Sequence, residues 1–203
     1  MRRFQIPKII HRFYPELLWK ENVTSKEIYL TFDDGPHPDV TPKVLNILSQ
    51  FDAKACFFCV GENILKYPET FNLIKKSGHQ IGNHTFNHLK GWETPDADYI
   101  SNVTKCDDFV KSPLFRPPYG RIKKSQINKL KNDFKIVMWS VLTYDYDRKI
   151  TEKECLNIAI KNTFPGSVVV FHDSEKAQKN MLYALHGFLE YFSKKDYKFV
   201  TWK

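Results

Sequence analysis

The chain has 203 residues, of which 42% are hydrophobic and 27% charged, a globular composition that excludes disordered, collagen-like and low-complexity fibres. Lys and Arg number 31 against 23 Asp and Glu, giving +8, which raises the expectation of an anionic partner. The lysines are scattered, with short clusters only at Lys75–Lys76, Lys123–Lys124 and Lys194–Lys195, and no nucleic-acid-binding signature is present, so no nucleic-acid partner is expected. No apolar run reaches the ~18 residues of a membrane span, so none is expected.

Residues 1–26, with Pro7 and Pro15, read as an irregular or partly helical lead-in packed on the domain that follows, 27–203. The β-branched and aromatic run Ile28–Phe32 predicts a strand. Thr41-Pro42 opens a helix to about Gln50, with Thr41 as N-cap and Pro42 at the first turn. Lys54–Val60 is a second strand, and Asn63–Ser77 a helix ended by Gly78. His79–Gly82 is a third strand, Asp96–Lys111 a helix and Leu114–Arg116 a short fourth strand. Ser125–Asn132 is a helix, Lys135–Leu142 a fifth strand and Thr151–Asn162 a helix capped by Thr151. Ser167–His172 is a sixth strand, Glu175–Phe192 a long helix and Tyr197–Trp202 a seventh strand. Seven strands alternating with six helices predict a single-domain parallel α/β fold. The periodicity leaves open whether the sheet stays flat and doubly wound or closes into a barrel.

Cys56 and Cys59 form a C-x-x-C, but on a strand residues three apart point to opposite faces, so they are expected to be buried reduced thiols. Cys106 and Cys155 complete the set of four. After Met1-Arg2-Arg3 no apolar stretch follows, so the sequence carries no export signal and by itself suggests the cytoplasm.

In parallel α/β folds functional residues lie just past the carboxyl ends of strands. Those positions here hold Asp33-Asp34-Gly35-Pro36, Asn83-His84-Thr85-Phe86-Asn87-His88, Arg116-Pro117-Pro118-Tyr119-Gly120, Tyr144-Asp145-Tyr146-Asp147 and His172-Asp173. His84 and His88, spaced i, i+4, share a face on a helical turn and can reach one metal. A carboxylate third ligand would complete a set that suits zinc and leaves a position for water. Asp33 and Asp34 offer a choice: one can ligate while the other serves as base. Arg116 is a fixed cation that could anchor a carboxylate or form a surface salt bridge. His172 could be an acid–base group or a structural histidine. Asp145 could orient Arg116 or His172, or cap a loop.

In this order, Thr31-Phe32-Asp33-Asp34-Gly35-Pro36, His84-x-x-x-His88, Arg116-Pro117-Pro118-Tyr119-Gly120 and His172 resemble the motifs of the polysaccharide deacetylases, carbohydrate esterase family 4, over residues 27–202. The resemblance implies a distorted (β/α)-barrel and one divalent metal, zinc first, with Co2+, Ni2+ or Mn2+ as alternatives, held by Asp34, His84 and His88. It implies Asp33 as general base held by Arg116, the Tyr119 backbone N–H as oxyanion donor, and His172 as general acid tuned by Asp145. Tyr146 stands where relatives usually have Trp and Val170 where they have Leu, both in the acetyl pocket; Leu142 stands where many have a first aspartate. The implied activity is removal of N-acetyl groups from N-acetylglucosamine-containing glycans (chitin, peptidoglycan or exopolysaccharide) by a monomer. The alternatives are an O-acetyl esterase on xylan-like chains and an inactive carbohydrate-binding relative. Such substrates would suggest the cell envelope, against the missing export signal.

Overall fold

A computed structural model describes residues 13–203; the first twelve residues of the lead-in lie outside it. Among the described residues nine strands form one sheet. In chain order they are β1 (Leu17–Leu18), β2 (Glu27–Asp33), β3 (Cys56–Cys59), β4 (Gln80–Asn83), β5 (Leu114–Phe115), β6 (Lys135–Val137), β7 (Val141–Leu142), β8 (Val168–His172) and β9 (Lys198–Val200). The spatial order is β1-β6-β5-β4-β3-β2-β8-β7, with β9 also on β2, and every named pair is parallel. Among the described residues seven α-helices cover it: α1 (Thr41–Gln50), α2 (Gly61–Lys66), α3 (Pro68–Lys76), α4 (Asp96–Val110), α5 (Lys124–Leu130), α6 (Glu152–Asn162) and α7 (Gln178–Ser193).

The two strands beyond the seven expected have separate causes. Leu17–Leu18 adds β1 beside β6, ahead of the alternation. The expected strand Lys135–Leu142 divides into β6 and β7, and this division curls the sheet. β6 pairs with β5 at one side of the order, while β7 pairs with β8 at the other. Met138–Ser140 spans the seam: the Met138 N–H donates to Leu18 O and the Ser140 N–H to Val168 O. Closure by a shared stave is invisible to hydrophobic periodicity, which reports only an extended segment.

Three further expectations are corrected. Asn63–Ser77 is two helices, because Pro68 disfavours a helical conformation at Tyr67 (φ −131°, ψ 57°). Thr41 is not an N-cap: Val40 holds that place, and the Thr41 hydroxyl turns instead to Asp173. His84–His88 is not a helical turn, since Thr85 and His88 have φ of 63° and 56°. Thr151 does cap α6, accepting from the Glu154 N–H in a capping box.

Strand alternation decides what faces the barrel interior. Ile28, Leu30 and Phe32 join the outer core between sheet and helices, with Phe171, Phe188 and Leu189. Tyr29 points the other way, into a cluster with Phe58, Val137, Val168 and Trp202. Thr31 and Asp33 share that inward parity, so Asp33 is delivered to the mouth of the barrel. Cys59 belongs to the outer core and Cys56 to the inner cluster, on opposite faces, and all four cysteines are free and buried. No described helix is long and apolar enough to cross a membrane.

Candidate active site

Asp33 ends β2 and is buried, with 4% of its surface exposed. Such a charge needs a partner. Arg116, fully buried past β5, supplies it: Nη1 donates to Asp33 Oδ1 at 2.7 Å. The same nitrogen donates to Thr31 Oγ1 at 2.7 Å, Nε to Val137 O at 3.1 Å and Nη2 to Met138 O at 2.9 Å. The Phe58 ring lies 4.1 Å beneath the guanidinium carbon. All its donor nitrogens are used, so Arg116 is no surface ion pair; it is a rigid brace for Asp33.

Asp34, one residue on, takes a left-handed conformation (φ 79°) that turns its side chain away from that brace. Its Oδ1 lies 3.2 Å from His88 Nε2 and 3.8 Å from His84 Nε2. Ligand atoms of the three residues all fall within 4.8 Å of one another, a candidate metal site. Burial works against the Asp34 charge, but the His88 hydrogen bond and the charges of His172, His84 and His88 hold its carboxyl below the usual range. His84 Nδ1 meets Arg116 O at 2.8 Å, which fixes the tautomer with Nε2 as the free lone pair. Burial pushes the His84 imidazole down to about 4, so it is neutral, as a ligand must be. The donor set of one carboxylate and two imidazoles fits a divalent ion of the zinc type.

The loop from His84 to His88 is held from three sides. The first amides of α2, Gly61 and Glu62, donate to Thr85 O and Phe86 O. Asn102 Oδ1 on α4 accepts from the Phe86 and Asn87 N–H groups, and Asn83 Oδ1 accepts from the Thr85 N–H. A Cβ at Gly61 would come within 2.5 Å of the Phe86 ring, so that close approach requires glycine.

His172 ends β8. Its Nδ1 lies 2.7 Å from Asp145 Oδ1, and its N–H donates to Asp145 Oδ2 at 2.7 Å. Asp145 therefore serves His172 and not Arg116. Burial alone would lower the imidazole, but the charge and hydrogen bond of Asp145 overcome it and push it up to about 10. The Tyr146 ring stands edge-on to His172 at 4.9 Å between centroids.

Asp33, Asp34, His84, His88 and His172 open into one cavity of about 450 Å³. Tyr119, Leu142, Tyr146 and Val170 line it as well, so the positions at which the sequence departs from the family pattern all face this space. Arg116 and Asp145 stand behind Asp33 and His172 and do not line it. Tyr119, at φ 60°, packs against the His88 ring at 4.7 Å.

Sequence reasoning gave Asp173 no role and read Thr41 only as a helix cap. Asp173 accepts from the Gly35 N–H at 3.1 Å and from the Thr41 hydroxyl, and its own N–H donates to Asp33 O. A Cβ on Gly35 would meet Asp173 Oδ2 at 2.1 Å. Burial pushes this carboxyl up to about 8, with the Thr41 hydrogen bond opposing and the Asp34 charge adding. Asp173 thus clamps the turn that carries Asp33 and Asp34. Its place beside His172, at the end of an otherwise apolar strand, was the available signal. Asn102 gives none, being one polar residue among many on α4.

Among known proteins, the family described as polysaccharide deacetylase matches residues 20–135. The chain is 36% identical over 183 residues to a peptidoglycan-N-acetylglucosamine deacetylase of Bacillus cereus, covering 86% of this chain and 66% of that protein. It is 36% identical over 170 residues to a chitooligosaccharide deacetylase of Azorhizobium caulinodans, covering 79% of this chain and 80% of that protein. The crystal structure of a peptidoglycan N-acetylglucosamine deacetylase in complex with 4-naphthalen-1-yl-N-oxidanyl-benzamide superposes with a TM-score of 0.87 at 32% identity. That match covers 92% of this chain and 90% of the other.

Proposed function

This chain belongs to the polysaccharide deacetylase family, and on that premise we propose that it hydrolyses the N-acetyl groups of N-acetylglucosamine-containing glycans. Residues 27–203 form the catalytic domain, preceded by the lead-in. The observation that carries the reading is one cavity shared by a braced carboxylate, a histidine paired with Asp145 and a three-residue candidate metal site.

Asp34, His84 and His88 would hold the divalent ion, zinc by preference. When bound it supplies a Lewis acid for the acetyl carbonyl and acidifies water. Asp33, oriented by Arg116, takes a proton from water as the water oxygen bonds to the carbonyl carbon. The Tyr119 backbone N–H donates to the oxygen that becomes negative, a contribution of about 3–4 kcal/mol for one such donor. His172, with Nδ1 committed to Asp145, presents its Nε2 proton to the departing nitrogen as the C–N bond breaks. The products are acetate and a free amine on the sugar. Tyr146 and Val170 form the wall against the acetyl methyl.

The protonated His172 favours an amide substrate over an O-acetyl ester, because an amine leaves poorly without a proton. The similarity to a peptidoglycan-N-acetylglucosamine deacetylase supports a role at the cell envelope. Acetate release from chitin oligomers, peptidoglycan and acetylated xylan, with and without chelator, tests the reading. We expect chelator-sensitive release from the first two. Release from xylan alone would make the protein an O-acetyl esterase, and no release from metal-loaded protein would make it an inactive relative.

A further inference from the structure

Beside the catalytic cavity lies a second one of about 380 Å³, walled by Arg148, Ile150, Glu175, Lys176, Lys179 and Asn180. Lys176 lines both, so the two spaces adjoin. Its ammonium rests 5.3 Å over the ring of Tyr146, the residue that meets His172 edge-on. Three of the wall's four charged groups are cations. The fourth, Glu175, is exposed, and no ion pair joins it to Arg148 or Lys176 within the distances that define one. Lys179 reaches Glu152 at 3.7 Å, but its side chain is 85% exposed, so water weakens that pairing. The floor is firmer than the rim: Asn180 is 8% exposed, and its amide donates to Asp147 O and Ile150 O, tying α7 to the segment after β7.

A concave wall with excess charge of one sign concentrates its field and draws in the opposite sign. The proposed catalytic residues use none of these three cations, and the excess sits beside the catalytic cavity. We propose that the Arg148, Lys176 and Lys179 cavity is a subsite for carboxylate groups carried by the glycan, so that the protein selects an acidic acetylated glycan over a neutral one. The proposal deepens the deacetylase reading and rests on it for the identity of the polymer. Arg148 offers a planar fork to a carboxylate, and the two lysines offer mobile point charges. Lys176 stands between the subsite and the acetyl pocket, so a carboxylate bound there fixes the register of the neighbouring sugar over His172.

The test measures binding by calorimetry for the full chain and for R148Q/K179Q. Two probes are used: a chitin oligomer, and an oligomer of equal length with a carboxyl-bearing ether on alternate sugars. The wild-type protein is expected to prefer the acidic oligomer about three- to tenfold, the range set by two exposed charge contacts. That preference is expected to vanish in the variant and to shrink between roughly 0.1 M and 1 M salt. Equal wild-type affinity for both probes, or an undiminished preference in the variant, overturns the subsite. Acetate release followed in parallel separates the two readings. Release from both oligomers without preference defeats the subsite and spares the deacetylase, whereas preference without any release does the reverse.

Discussion

The two ends of the barrel differ in how they use their residues. At the amino-terminal end, Trp202 stacks on Tyr29 at 5.1 Å, its N–H donates to Glu21, and its backbone pairs with Gln80. That end is paired, and its left-handed residues sit where a helix stops before the next strand. At the mouth, Asp34, Thr85, His88, Tyr119 and Tyr144 all take left-handed conformations. The other left-handed residues that are not glycine, Asp52, Lys111 and Asp196, follow helices, where a helix must stop anyway. Strained conformations persist only where surroundings over-determine them. The clamps at the mouth, Asp173 on Gly35, Asn102 on the histidine loop and α2 on the same loop, are those surroundings. Stability thus resides in one end and aim in the other.

If that division holds, damage to each end should register in a different measurement. The largest effect belongs to His84→Ala. We expect loss of the bound ion, read by plasma emission spectrometry, and a fall in acetate release on the order of 10³-fold or more. A folded variant with full metal content would break the assignment. Next is His172→Ala, expected to lower turnover on an amide by about 10²–10⁴ while metal is retained. An aryl acetate ester, whose leaving group needs no proton, should suffer much less; equal losses would make His172 a positioning residue only.

The same pair gives a pH signature. His172 is raised from the usual 6.5 to about 10 by Asp145. The Asp145–His172 pairing therefore stabilises the fold fully below pH 6.5 and loses that contribution as pH climbs through 10. Asp145→Asn should flatten this dependence in denaturant titrations and move the alkaline limb of activity to lower pH. At the opposite end, Trp202→Ala should cost about 3–5 kcal/mol of stability, the usual loss for a buried aromatic, yet leave turnover per folded molecule unchanged. A drop in turnover matching the drop in stability would show that the ends are not independent. The smallest effect is expected of Val170→Leu, which adds one methylene to the cavity wall. It should alter the ranking of acetyl against longer acyl groups by about 1 kcal/mol, read as a change in the kcat/KM ratio.

How much of this was legible in the sequence follows the same geography. Five ionisable residues of the cavity, Asp33, Asp34, His84, His88 and His172, stood at or just past a strand end, and residue type with position was enough to find them; Arg121 and Lys176, farther along their loops, were not found. The partners behind them depend on tertiary distance: Arg116 meets Asp33 across 83 positions of chain, and Asp173 meets Gly35 across 138. Asp145 was found but left between two partners, since a loop carboxylate carries no record of which side it faces. The geometry of the histidine pair was misread because i, i+4 spacing is compatible with a helical turn and equally with a loop that folds back through two left-handed residues. Periodicity left barrel closure open for a similar reason, as one extended segment serves two strands; the family resemblance alone implied the barrel that the sheet order shows.

The seam at Met138–Ser140 has one more consequence. Arg116 donates to the carbonyls of Val137 and Met138, at the joint where the sheet closes, and with its remaining nitrogen to Asp33. The same guanidinium therefore latches the ring and aims the carboxylate proposed as base. On that mechanism a chain whose sheet has not yet met itself has no fixed Asp33 and is expected to be silent towards substrate, however complete its metal site. Hydrolysis would then act as a proofreading signal, given only by molecules in which the last stave is in place.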